Sequence, residues 1–163
     1  MEKVWLGIGS NLGESEKLIR EAAALLSAFI VDLQLSGLWR SKARYVENQP
    51  DFLNAVACGT TKLNPRELLA AVNGIEAALG RDRSAVVAKG ARTMDIDILL
   101  YGAAIIAEPD LIIPHPGMRE RKFVLLPLAG IDPHIADPVS GRPFSDFLAE
   151  LPPQGIYPAR SSR

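Results

Sequence analysis

The apolar run KVWLGIGS at 3–10 predicts a short strand. Helical spacing follows in ESEKLIREAAALLSAFI, 14–30, where Leu18, Ala22, Leu25 and Phe29 line one face. IVDLQLSGLWRS, 30–41, alternates at Val31, Leu33 and Leu35, as a half-exposed strand does. DFLNAVACGTTK, 51–62, predicts another strand, with Phe52, Asn54 and Val56 on one face and Leu53, Ala55 and Ala57 on the other. A second helix is predicted over 64–80: Asn64 is the N-cap, Pro65 fills the first helical position, and Glu67 completes a capping box. Leu68, Val72, Ile75 and Leu79 form its buried stripe, and Gly80 stops it.

Beyond a loop at 81–91, a strand is predicted over 92–101, then a hairpin through Gly102 into 103–106. Pro109, Pro114 and Pro116 interrupt the next segment. An irregular helix near 117–130 contains Pro127, and a last helix spans 143–151. Residues 152–163, with Pro152, Pro153 and Pro158, are expected to be a frayed tail. The order β-α-β-β-α-β predicts an α+β fold over 1–163, one domain with a ferredoxin-like (split β-α-β), mainly antiparallel sheet flanked by helices.

Composition narrows the function. The 163 residues are 48% hydrophobic and 23% charged, enough for a sizeable core. A net charge of −1 provides no global field for nucleic acid, so an anion site must be a local cluster of base. No apolar run approaches the ~20 residues of a membrane span. The segment at 3–10 reads as a strand rather than a leader, and the lone Cys58 suits a reducing cytoplasm. A cytoplasmic monomer is the expectation.

Strands usually avoid aspartate, yet ARTMDIDILLYG at 91–102 carries two. Residues i and i+2 of a strand point the same way, so Asp95 and Asp97 share one face while Met94, Ile96 and Ile98 fill the other. The pair is either a solvated outer face or a site for a divalent cation, since carboxylate oxygens suit Mg²⁺ together with substrate phosphates. Arg81, Arg83, Lys89 and Arg92 crowd the loop before the acids, and Arg119, Arg121 and Lys122 follow His115. Guanidinium forks match phosphate oxygens, so base on both sides of the acids favours a metal–polyphosphate site over a glycosidase. Asn73 and Glu76 lie three apart at the edge of the second helix's stripe. Phe52 is core by default, but beside Asn54 it also suits a flat heterocycle, with Phe123 as a second wall. GIGSNLG at 7–13 has neither dinucleotide nor Walker A spacing and reads as a strand-to-helix turn, with Ser10 or Asn11 capping.

In order, GSNLG at 9–13, QPDFLNAV at 49–56, GIEAALGRDR at 74–83, ARTMDIDILLYG at 91–102 and IPHPGMRERKFVLLPL at 113–128 resemble 6-hydroxymethyl-7,8-dihydropterin pyrophosphokinases of folate synthesis. The resemblance implies transfer of diphosphate from ATP to the pterin's hydroxymethyl group, leaving AMP. It implies two Mg²⁺ ions at Asp95 and Asp97, with Arg81 and Arg92 catalytic. It implies ATP contacts from Glu76, Arg83, Ile98, His115 and Arg121, and pterin contacts from Ser41, Phe52, Asn54, Asn73 and Phe123. Lys89 and Ala91 stand where many members carry tryptophan and proline. The rival from another class is a non-catalytic ferredoxin-like module that binds a nucleotide or other ligand. It explains the element order but not the coincidence of acids, arginines and aromatics.

Overall fold

The computed structural model describes residues 1–11, 14–41, 51–80 and 94–159. In chain order the elements are β1 (Glu2–Ser10), α1 (Ser15–Leu26), β2 (Val31–Leu35), β3 (Trp39–Ser41), β4 (Phe52–Thr61), α2 (Pro65–Gly80) and β5 (Met94–Tyr101). Then come β6 (Ile106–Glu108), β7 (Leu111–Ile113), a 3-10 turn (Met118–Glu120), α3 (Lys122–Ile131), α4 (Phe144–Glu150) and β8 (Ile156–Pro158). β1 sits between β5 and β4, antiparallel to both, and β2 and β3 share the far side of β4. Read as β5-β1-β4-β2/β3, this is the expected ferredoxin-like order in an α+β fold.

Period-2 alternation sorts the two sides of the sheet. Leu53, Ala55 and Ala57 of β4 join Val4, Leu6, Ile8, Met94, Ile96 and Ile98 in a core with the buried stripes of α1 and α2. Val56 and Cys58 face the other way, into a cluster with Trp5, Leu99 and the apolar sides of α3 and α4. A bulge on β5 pairs Leu6 with Ile98 but Trp5 with Leu100, so both Leu99 and Leu100 reach that second cluster. The predicted capping box of α2 forms reciprocally: Glu67 N–H donates to Asn64 Oδ1 at 2.8 Å, and Asn64 N–H to Glu67 Oε1 at 2.8 Å.

Four expectations are corrected. β5 makes no hairpin with 103–106; β6 pairs with β7 around Pro109-Asp110, and Arg66 of α2 holds that hairpin through Glu108 and Asp110. The tail is not frayed at 156–158, because β8 adds a strand to the edge at β3. Alternation in β2 is broken by an extra residue at Asp32, whose φ of 55° leaves Val31 exposed. α1 ends at Leu26, and its N-cap position is Glu14 rather than Ser10 or Asn11.

A buried ion pair ties the α3/α4 layer to the 3-10 turn. Arg119 grips Asp137 with two donors, Nε to Oδ2 at 2.8 Å and Nη2 to Oδ1 at 2.9 Å. Val139 N–H and the Ser140 hydroxyl donate to the same carboxylate, which is 2% exposed. The Arg119 guanidinium foremost, then these two donors, hold the Asp137 carboxyl at about 2. A drop of this size from the ordinary aspartate value corresponds to about 2 kcal/mol of stability. The folded-state value lies below the unfolded one, so the contribution is full above the ordinary aspartate range and is lost as pH falls through about 2. Urea unfolding of Asp137→Asn should show about 2 kcal/mol less stability at neutral pH, and a flatter fall in stability as the medium is acidified.

Candidate active site

Why do two aspartates persist in β5? Asp95 and Asp97 are exposed while Met94, Ile96 and Ile98 are buried, so the acids project from the face opposite α1 and α2. The strand register carries that face across the sheet. Asp95 pairs with Gly9, Gly9 with Asn54, and Asn54 with Trp39. In the next row of this face, Asp97 pairs with Gly7 and Gly7 with Val56. Two strand spacings separate the acids from Asn54, about 10 Å. Gly9 lies between Asp95 and Asn54 and Gly7 between Asp97 and Val56, and both glycines are part-exposed. A strand interior with glycine at alternate positions marks a place where something approaches the backbone closely.

Asn54 is 4% exposed and its carboxamide is oriented from behind. Nδ2 donates to Ser41 Oγ at 2.9 Å and leans on the Trp39 carbonyl at 3.4 Å. Its two donors thus point toward β3, and Oδ1 lies over Gly9, 3.2 Å from where a Cβ there would stand. The site therefore presents an acceptor to a donor-bearing ligand edge. Phe52 follows on the same face, opposite Ser41.

On the other flank, the segment after β7 returns to β5, with His115 N–H donating to Leu99 O at 3.0 Å. Gly117 N–H donates to His115 Nδ1 at 3.1 Å, so in the neutral ring the proton sits on Nε2, which lies 3.9 Å from Asp97 Oδ2. Burial holds the imidazole below the usual histidine range; the Asp97 charge opposes this and the Arg121 charge adds to it. Arg121 folds back over Gly117: a Cβ on that glycine would stand 2.9 Å from the guanidinium. Arg121 also lies 5.7 Å from the Phe123 ring. Asp97, imidazole and guanidinium thus cluster at one end of the sheet, and Gly9 lies between Asp95 and Asn54 on the same face.

The sequence profile described as 7,8-dihydro-6-hydroxymethylpterin-pyrophosphokinase (HPPK) matches residues 5–133, most of the chain. The chain belongs to this family. It is 37% identical over 150 residues to the 2-amino-4-hydroxy-6-hydroxymethyldihydropteridine pyrophosphokinase of Aquifex aeolicus, covering 92% of each. It is 40% identical over 158 residues to the folic acid synthesis protein fol1 of Pneumocystis carinii, covering 96% of this chain. The chain spans about a fifth of that fungal relative's length, 21%. In fold it is similar to the wild-type HPPK-DHPS protein of Plasmodium falciparum, with a TM-score of 0.72 at 16% identity, over 91% of this chain and 44% of that one.

The remaining residues that the HPPK resemblance singled out fall as follows. Glu76 is half-buried on α2 and accepts the Ile96 N–H at 2.8 Å, at the sheet edge formed by β5. Burial raises its carboxyl, as do Asp95 and Asp97, against the Ile96 hydrogen bond. Asn73 is exposed one helical turn before it. Ile98 buries its side chain in the core beneath α1 and α2, away from the acids, so any nucleotide contact there must come from its backbone. Phe123 is half-buried at the start of α3 and packs on the second cluster. Arg81, Arg83, Lys89, Ala91 and Arg92 lie outside the described residues. So does 42–48, the part of the chain that follows Ser41. Sequence reasoning missed Gly7 and Gly9, treating GIGSNLG as a turn. The available signal was two glycines alternating within an otherwise apolar strand.

Proposed function

We propose that this chain is the ATP-dependent diphosphotransferase that converts 6-hydroxymethyl-7,8-dihydropterin to its diphosphate in folate synthesis. The observation that carries the reading is one shared sheet face, with paired carboxylates at one end and an oriented acceptor, Asn54, at the other. The acids fit magnesium. Among the described residues no group of three or more His, Cys, Asp or Glu side chains is placed to hold a metal. Mg²⁺ takes one or two carboxylates and fills its shell with water and substrate phosphates. We assign Asp95 and Asp97 to two such ions, which when bound supply charge compensation on the triphosphate.

The chain's own groups do the rest. Arg121, with Arg81, Arg83 and Arg92, offers forked donors to phosphate oxygens. His115 offers Nε2–H beside Asp97. Glu76, Asn73 and the Ile98 backbone belong to the nucleotide end and its border with the pterin. Phe52 and Phe123 flank the pterin ring, and Asn54, whose Nδ2 donates to Ser41, accepts from a ring N–H through Oδ1. The hydroxymethyl oxygen attacks the β-phosphorus, the bond to the α-phosphate oxygen breaks, AMP departs with that oxygen, and the hydroxyl proton passes to water. Such transfer depends on positioning and charge compensation more than on covalent help from protein, and no general base is required. We place the reaction in the cytoplasm, in a single-domain monomer.

Incubation with ATP, Mg²⁺ and the pterin alcohol should release AMP and the pterin diphosphate in equal amounts, followed by chromatography. Release of ADP would exclude diphosphate transfer. Binding without turnover would leave the non-catalytic module as the reading.

A further inference from the structure

The segment after α4 carries polar contacts that the site as described does not use. Gln154 places one carboxamide across Arg121: Nε2 donates to the Glu120 carbonyl at 3.0 Å, and Oε1 accepts the Lys122 N–H at 2.9 Å. Lys122 N–H is an orphan donor in the first turn of α3. The N-cap residue there is Arg121, whose side chain makes no capping hydrogen bond. Gln154 does the capping instead, and the Arg121 guanidinium is left to lie over Gly117 beside Phe123.

Gly155, at φ 68°, then turns the chain toward the opposite flank. β8 pairs with β3 in the register Ser41 to Ile156, Arg40 to Tyr157 and Trp39 to Pro158, and Ala159 N–H donates to Leu38 O at 2.9 Å. The Tyr157 hydroxyl reaches across β3 to donate to Asp51 Oδ2 at 2.7 Å, one residue before Phe52. β3 is three residues long, and it supplies both partners that orient Asn54.

We infer that residues 152–159 form a brace that sets both flanks of the site, with Gln154 as a positioning residue for Arg121 and Tyr157 as a positioning residue for the Ser41–Phe52–Asn54 corner. Neither side chain touches substrate. This rests on the reading of Arg121 as a nucleotide contact and Asn54 as a pterin contact.

The test uses the full chain as Gln154→Ala, Gln154→Glu and Tyr157→Phe. Calorimetry gives Kd for a non-hydrolysable ATP analogue with Mg²⁺, and Kd for the pterin at saturating analogue; thermal melting runs alongside. Gln154→Ala should weaken the nucleotide by about fivefold and leave the pterin within about twofold, the scale of one or two lost hydrogen bonds. Gln154→Glu keeps the acceptor for Lys122 N–H and should recover part of that loss. Tyr157→Phe, which deletes one hydroxyl, should show the opposite split, weakening the pterin by about threefold with the nucleotide unchanged. Variants that bind both ligands like wild type overturn the brace. So does an equal weakening of both ligands that tracks a lower Tm, which is what a merely structural role gives. Wild-type protein that binds neither ligand overturns the functional reading and the brace with it.

Discussion

Asp95→Ala and Asp97→Ala should each lower kcat/KM by about a thousandfold or more, with Tm unchanged or slightly raised. The two halves of this result have different causes. Both side chains are exposed on the sheet face, Asp97 by 49%, so neither truncation opens a cavity. Like charges ~7 Å apart repel by about 2 kcal/mol at an effective dielectric near 20, and removing one relieves that strain. For the reaction the balance is reversed, because a carboxylate that neutralises a cation on the triphosphate acts where charge develops. A loss of several kcal/mol there is a factor of a thousand or so in rate. Quantified AMP release and a melting curve on the same preparation check both halves. Near-normal turnover in either variant would rule out the acid pair as the metal site, and a collapsed Tm would mean that the acids hold the fold.

The parts that were legible in the sequence are those fixed by local period. One alternation, Met94-Asp95-Ile96-Asp97-Ile98, is enough to send the acids to one side and the aliphatics to the other, and the bulge that resets the phase comes only after Ile98. The capping box at Asn64 and Glu67 likewise involves groups three residues apart. What could not be read depends on partners distant in sequence. Gly102 does turn the chain after β5, at φ 52°, but nothing in 103–106 says whether its strand returns to β5 or waits for Leu111–Ile113. Pro152, Pro153 and Pro158 look like breakers, yet a proline is tolerated on an edge strand, where a missing N–H costs no ladder bond, and Pro158 sits on that edge. Glu76 stands at the edge of the α2 stripe in the sequence; only the fold reveals that it also accepts the Ile96 N–H.

Gly9→Val should cut kcat/KM by about a hundredfold through the pterin KM, while Gly7→Ala stays within about threefold of wild type. The contrast follows from what each new side chain meets. A Cβ at Gly7 finds the Leu99 side chain at 3.5–3.7 Å, ordinary contact that leaves the polar groups undisturbed. A Cβ at Gly9 stands 3.2 Å from Asn54 Oδ1, tighter than a carbon–oxygen contact normally allows. Asn54 has little room to yield, because its amide is held by Ser41 and Trp39 and the residue is 4% exposed. Valine adds two methyls to that contact and fills the floor between Asn54 and Asp95. A heterocycle that must hydrogen-bond Oδ1 then loses both the acceptor's position and the space over the backbone. Sites built to pair a substrate N–H or O–H discriminate strongly when that pairing is lost, which sets the size of the effect. Folding is expected to survive, since valine suits a strand and Gly9 is part-exposed. Steady-state kinetics with the pterin varied at saturating ATP measures the loss. An unchanged pterin KM in Gly9→Val would mean that the ligand does not lie over this strand.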